Sequence, residues 1–285
     1  MSKLPVSKRS TKMLWKLFNE PLKKLYNWSE DYRDSLFDVP LILKAIRSGA
    51  DVQSPAVDGG VKPLERALGL LRLSKDTKVF AIIRELVLHG ADPNCREEYH
   101  EDLDFKSQAL CCLVEETEAS DELVEAGVRV LLDYGADVNS TDMEGTTALS
   151  WAAYYAMIPV VRLLLERGAS VVQKNKKGEN VLDRIICELD DTIGSEDSID
   201  LLRMLLKNAV DKEGVDLVNY ADEEGRTLLM AACNHCYEEI PALVEFLLSA
   251  GADVDAVDRN GDAAIDFAIR KGYRTIVELL RRRSQ

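Results

Sequence analysis

The chain has 285 residues, 46% of them hydrophobic and 30% charged, with a formal net charge of −14. That balance argues against wholesale disorder, and no window approaches the ~18 uninterrupted apolar residues of a membrane-spanning helix. An acidic body repels phosphate backbones, so nucleic-acid binding by the main domain is disfavoured.

The N-terminal segment, residues 1–35, differs in charge from the rest of the chain. Its first 28 residues carry Lys3, Lys8, Arg9, Lys12, Lys16, Lys23 and Lys24 against Glu20 alone, a net +6 that leaves −20 for the remainder. Met13, Leu14, Trp15, Leu17 and Phe18, then Leu22, Leu25, Tyr26 and Trp28, alternate with lysines as in an amphipathic segment interrupted near Pro21. Such a segment can shield the apolar end of the domain behind it, or lie on an anionic membrane surface. No apolar run leads to a small-residue cleavage site, so no secretory signal is expected. Six irregularly spaced cysteines do not form a disulfide framework in a chain this long. A reducing, cytoplasmic setting is the simplest expectation.

Beyond residue 35 the chain repeats itself. Gly-Ala-Asp occurs at Gly49, Gly90, Gly135 and Gly251, Gly-Ala-Ser at Gly168, and a degenerate Asn208-Ala209-Val210 falls between them. The successive intervals are 41, 45, 33, 40 and 43 residues. From Gly90 onward each phrase follows an apolar run at helical spacing, as in Ile82–Leu88, Val130–Leu132, Val160–Leu165, Leu202–Leu206 and Val244–Leu248. Glycine after the last apolar turn can adopt the left-handed conformation that closes a helix, and the Asp or Asn beyond it begins a turn. The unit is therefore helix, glycine stop, polar turn, next helix.

The most complete copy is Asn139-Ser140-Thr141-Asp142-Met143-Glu144-Gly145-Thr146-Thr147-Ala148-Leu149-Ser150-Trp151-Ala152-Ala153, leading into the 160–165 run and Gly168. It resembles an ankyrin repeat, a unit of about 33 residues with a T-P-L-H-x-A signature. Thr147, Leu149, Ala152 and Ala153 match, Ala148 replaces the proline and Ser150 the histidine. Weaker copies begin at Gly225 and Gly261, and others open at Pro63-Leu64, Ala109-Leu110 and Val181-Leu182. None keeps the signature histidine. The resemblance implies an all-α, ankyrin-like solenoid of about six stacked helix-turn-helix repeats with projecting hairpin-like turns over residues 36–285, the last repeat a C-terminal cap. Arg281-Arg282-Arg283 suits that role, with its charges at a helix C-terminus. The extra length in 73–77, 115–121, 190–197 and 211–214 is polar and reads as surface loops at constant core.

Catalytic signatures are missing: the sequence has no phosphate-binding loop, dinucleotide fingerprint, H-E-x-x-H or G-x-S-x-G. His89 precedes a helix-stopping glycine, a place suited to contact with the helix C-terminus, and His100 lies in a polar loop. The stretch Ala231-Ala232-Cys233-Asn234-His235-Cys236-Tyr237 invites a metal or redox reading, but it has no second ligand pair and no βαβ context. Aligned on Ala152-Ala153, Cys233 takes the place of a buried alanine. No metal, cofactor or catalytic residue is expected.

By the resemblance, the residues after each small pair fall at the inner-helix ends beside a concave groove. These are Tyr154 and Tyr155, Asn234 and His235, and Arg270 and Lys271. Turn tips such as Met143-Glu144, Lys174–Lys177 and Glu223-Glu224 would project beside it. The expected function is a non-enzymatic protein-interaction scaffold, acting as a monomer on a protein partner. The alternative is an adaptor recruited to a membrane or organelle by the basic N-terminal segment.

Overall fold

The computed structural model describes residues 8–25, 38–54, 62–74, 78–95, 107–115, 119–188, 195–234 and 240–283. The chain divides into two compact units, Met1–Met143 and Glu144–Gln285. The described residues are helical, with turns and isolated antiparallel bridges such as Ala221 to Thr227 and Val257 to Ala263.

The N-terminal unit holds α1 (Lys8–Leu25), α2 (Val39–Arg47), α3 (Pro63–Ser74), α4 (Val79–Leu88), α5 (Ala109–Val114) and α6 (Asp121–Asp133). Two rows run through it. Helices α1, α3 and α5 pack in succession, as do α2, α4 and α6, and α1·α2, α3·α4 and α5·α6 are the cross pairs. Helix α1 is continuous across Pro21, where the sequence suggested a break. A mid-helix proline removes one backbone donor and crowds the preceding turn, a cost that tertiary packing can offset. Leu14 and Trp15 are buried, and Thr11 Oγ1 accepts the Asp51 backbone N–H at 2.8 Å.

The C-terminal unit repeats the plan with α7 (Ala148–Tyr154), α8 (Ile158–Glu166), α9 (Val181–Glu188), α10 (Ser195–Asn208), α11 (Leu228–Cys233), α12 (Pro241–Ser249), α13 (Ala264–Lys271) and α14 (Arg274–Arg283). The inner row is α7, α9, α11 and α13, and the outer row is α8, α10, α12 and α14. Helix α8 shows why neither row stands alone. It buries Val160, Val161, Leu163, Leu164 and Leu165, and removing a buried leucine side chain costs about 2–5 kcal/mol. A nine-residue helix cannot cover that stripe itself, so stacking is obligatory.

The glycine stops form as expected. At Gly90 the glycine N–H donates to the Val87 carbonyl at 3.0 Å and the Ala91 N–H to Leu86 at 2.9 Å, which closes the orphaned last turn. The same paired bonds recur at Gly49, Gly135, Gly168 and Gly251. The degenerate copy behaves differently. Helix α10 does not stop at Asn208 but continues into a π-helical stretch, Ala209–Glu213, and ends at Gly214 with φ +67°. Asn208 stands where the other copies have glycine, and the next glycine, Gly214, comes six residues later. Of the extra length at 211–214, residues 211–213 are thus helical and Gly214 is the cap, instead of a loop. Residues 75–77, 116–118 and 189–194, within the other longer intervals, lie outside the described residues.

Side chains tie successive repeats together within each unit. Asn94 Nδ2 donates to the Gly135 carbonyl at 3.0 Å while its Oδ1 accepts the Asp137 N–H at 2.8 Å. Asn219 makes the same bracket on Gly251 and Asp253. Where the closure is displaced, Glu213 takes over. Its carboxylate accepts the Ser170 hydroxyl at 2.9 Å and the Val171 N–H at 2.7 Å, and Lys212 Nζ donates to the Leu165 carbonyl.

Candidate partner-binding face

The inner helices of the C-terminal unit start on side-chain caps. Thr147 accepts the Ser150 N–H at 3.2 Å, and Thr227 accepts the Met230 N–H at 3.3 Å. On α9 the cap is reciprocal. Asn180 Oδ1 accepts the Leu182 N–H at 2.7 Å, while Asp183 Oδ2 accepts the Asn180 N–H at 2.6 Å. Asp183 stands where the family signature has histidine, as do Ser150 and Asp266. Asp266 likewise accepts the Ala263 N–H at 2.8 Å. In α9 and α13, bracing of the turn by histidine is therefore replaced by carboxylates that reach back one turn.

Asp183 is buried and also accepts the Tyr220 hydroxyl at 2.8 Å, which links α9 to the following turn. Burial raises its carboxyl above the ordinary aspartate range, opposed by the Asn180 and Tyr220 hydrogen bonds. Burial, with this carboxylate beside it, pushes the Tyr220 phenol up as well.

The turn tips interlock through backbone. The Lys176 N–H donates to the Glu144 carbonyl at 2.8 Å, and the Arg259 N–H to the Glu224 carbonyl at 2.9 Å. Gly145 and Gly225 permit this with φ of +80° and +78°. A Cβ on either would lie 3.2–3.3 Å from the neighbouring tip's backbone. The Asp222 carboxylate orders its own tip by accepting the Glu224 and Arg226 N–H groups at 3.0 and 2.8 Å.

The anticipated residues take distinct places on this frame. Tyr154 ends α7 and Tyr155 caps it, both half-buried. They join Trp151: the Tyr154 and Tyr155 rings meet edge to face at 4.8 Å, and Trp151 stacks on Tyr155 at 6.0 Å. Arg184 of α9 completes the group, its Cζ 4.4 Å from the Trp151 ring centroid and 4.9 Å from that of Tyr154. Its Nε is buried without a hydrogen-bond partner among the described residues. Asn234 is the exposed C-cap of α11. Arg270 lies over Phe267 at 4.6 Å and pairs with Asp262 at 2.7 Å, and Lys271 is exposed at the end of α13. Glu144 is exposed at its tip and Met143 half-buried. His235 and His100 lie outside the described residues.

The structure thus gathers Tyr154 and Tyr155 into one cluster and leaves Asn234 and Arg270 at separate helix ends. Sequence reasoning missed Trp151 and Arg184 as members of that cluster. A signal was present, since they are 33 residues apart, one repeat length, and so occupy the same place on adjacent inner helices. Stacked on rings, the guanidinium presents a fixed fork of donors beside aromatic surface, an arrangement suited to a carboxylate flanked by an apolar side chain.

Cys233 is fully buried, as its alignment with Ala153 implied, and burial pushes its thiol up to about 12. It is protonated at neutral pH and inaccessible, so it is packing material. Its sequence neighbour Cys236 lies outside the described residues. Among the described residues no three His, Cys, Asp or Glu side chains gather into a metal-binding group. His89 caps α4, with its Nδ1 2.9 Å from the Glu85 carbonyl. No described helix is long and apolar enough to cross a membrane.

Comparison with known proteins agrees with this architecture. The family described as Ankyrin repeats (3 copies) matches residues 72–175 and 193–284. Ankyrin repeat and SOCS box protein 6 of Homo sapiens is 39% identical over 121 residues, which cover 40% of this chain and 26% of that protein. Start control protein cdc10 of Schizosaccharomyces pombe is 26% identical over 66% of this chain and 25% of its own length. Putative ankyrin repeat protein YahD of Escherichia coli is 26% identical over 54% of this chain and 87% of its own. The chain thus spans about a quarter of the length of the first two relatives. With the family matched over more than half its residues, and with paired helices, glycine closures and interlocked tips in place, the chain belongs to the ankyrin repeat family.

Proposed function

We propose that this chain is a non-enzymatic protein-interaction scaffold that binds a protein partner through the inner-helix face and turn tips of its C-terminal unit. Ankyrin repeats generally mediate protein–protein interaction. The observation that carries the finer reading is the half-exposed cluster of Trp151, Tyr154, Tyr155 and Arg184 on α7 and α9. Aromatic and arginine side chains dominate binding energy at interfaces because they bury large area with few rotatable bonds to freeze. Here the rings already hold one another, so little ordering cost remains to be met on binding. Asn234, Arg270, Lys271 and Glu144 extend the proposed contact surface. The setting we propose is cytoplasmic, with the chain acting as a monomer.

The test is affinity capture with wild type, Tyr154→Ala/Tyr155→Ala and Arg270→Glu/Lys271→Glu. The tyrosine variant should lose specific partners, and the charge-reversed variant should retain them with weaker, salt-sensitive binding. Identical captured proteins for all three would refute the assignment.

For the N-terminal segment we propose the capping role over membrane recruitment. Helix α1 packs on α2 and α3 as the other inner helices pack on their neighbours, and Leu14 and Trp15 face that contact instead of solvent. Deleting residues 1–28 should then lower thermal stability and leave binding to anionic vesicles unchanged. Loss of vesicle binding with stability intact would favour recruitment.

A further inference from the structure

The outer face of the C-terminal unit carries a feature that the inner-face reading does not use. Successive outer helices α10, α12 and α14 pack side by side and leave an open groove of about 640 Å³ between them. Its floor is apolar, from half-buried Ile199, Phe246 and Leu279. Its rim is cationic, from Arg203, Arg282 and Arg283, and Glu245 is the single carboxylate among the described lining residues. Arg203 lies over the Phe246 ring at 5.1 Å, so its fork is held at the groove edge. Arg282 makes a solvated contact with Glu278 at 4.0 Å.

Among the described lining residues three arginines stand against one carboxylate, on a chain of net charge −14. An acidic partner that the chain's overall charge disfavours would find complementary charge at this rim, which would orient the encounter. Three helices at the usual 8–10 Å separation span about 20 Å, which three to four turns of helix would cover. We propose that this groove is a second docking site, for an acidic amphipathic helix of a protein partner. The apolar stripe of that helix would rest on Phe246 and Leu279, and its flanking carboxylates would pair with Arg203, Arg282 and Arg283.

The probe is a fluorescein-labelled peptide with leucines at i, i+3, i+4 and i+7 spacing and glutamates elsewhere, titrated with the full chain and followed by anisotropy. One control keeps the composition but scrambles the leucine positions, and a second replaces glutamate by lysine. Only the acidic amphipathic peptide should bind, and the binding should weaken as salt rises. Arg203→Gln/Arg283→Gln should weaken it about tenfold with an unchanged melting curve, as for solvated rim charges. Tyr154→Ala/Tyr155→Ala should leave it unchanged, which separates this site from the inner face. Equal binding of the scrambled acidic peptide, no binding at all, or indifference to the arginine substitutions would overturn the proposal. So would concentration-dependent self-association in ultracentrifugation that disappears in Arg203→Gln/Arg283→Gln, because the occupant would then be a second copy of the chain.

Discussion

The inner helices α7 and α11 are built on one frame and carry different chemistry. Each opens on a threonine cap, Thr147 or Thr227, behind a tip whose glycine, Gly145 or Gly225, touches the next tip's backbone. Each buries a small pair, Ala152-Ala153 or Ala232-Cys233. Where α7 then carries Trp151, Tyr154 and Tyr155, α11 carries Ala231 and Asn234 at the places of the first two. The difference separates two kinds of information. Residues that set the frame recur because backbone geometry demands them, while those between are free to vary and, in the function proposed above, would supply the recognition surface.

If the frame is shared, disturbing it should cost the same in both places. Gly145→Ala and Gly225→Ala each force a left-handed alanine against neighbouring backbone. Each should destabilise by about 2 kcal/mol in chemical denaturation. A clear inequality would break the equivalence of the two copies.

A smaller effect should separate α9 from both. Asp183 has no counterpart carboxylate in α7 or α11, where Ser150 and Met230 stand. Tyr220→Phe removes its hydroxyl donor and should cost about 1.5 kcal/mol at neutral pH, the low end for a hydrogen bond to a charged group. The sign with pH comes from the raised carboxyl. Its ionised form weighs against folding, so that penalty is present at neutral pH and fades as pH falls through the folded value toward the ordinary one. The gap between wild type and Tyr220→Phe should therefore narrow in acid, as denaturation at stepped pH would reveal. No such narrowing is expected for Thr147→Ala or Thr227→Ala, each costing about 1 kcal/mol as a lost cap.

The smallest effect belongs to the N-terminal unit. The Arg47 guanidinium meets Glu85 at 2.7 Å between α2 and α4 and holds that carboxyl below its usual range. A depressed carboxyl stabilises the fold above its unfolded value and loses that contribution as pH falls through the folded one. Glu85→Gln should be slightly less stable than wild type near neutrality, with the gap closing in acid and shrinking in high salt.

The frame was largely legible from sequence. Gly90 and its equivalents marked the closures, and Cys233 fell where alanine belongs, because both depend on local backbone geometry and a repeating register. What escaped depended on neighbours. The closure at Gly214 follows from a helix that runs on past Asn208, where the glycine is missing, with Ala209 packed in the core. The stacking of Arg184 on Trp151 is a contact between helices, invisible to a reading that followed one helix at a time. The brackets made by Asn94 and Asn219 likewise exist only once repeats stack.

The α7–α9 cluster is where we propose that a protein partner docks. The most direct measurement places a photoreactive phenylalanine at Tyr155 and, separately, at exposed Arg162 on α8, then compares the adducts formed on illumination in cells. Position 155 should give a discrete protein adduct that is lost when Arg184→Ala is added and is not formed from position 162. The same adducts from both positions, or none from position 155, would contradict it.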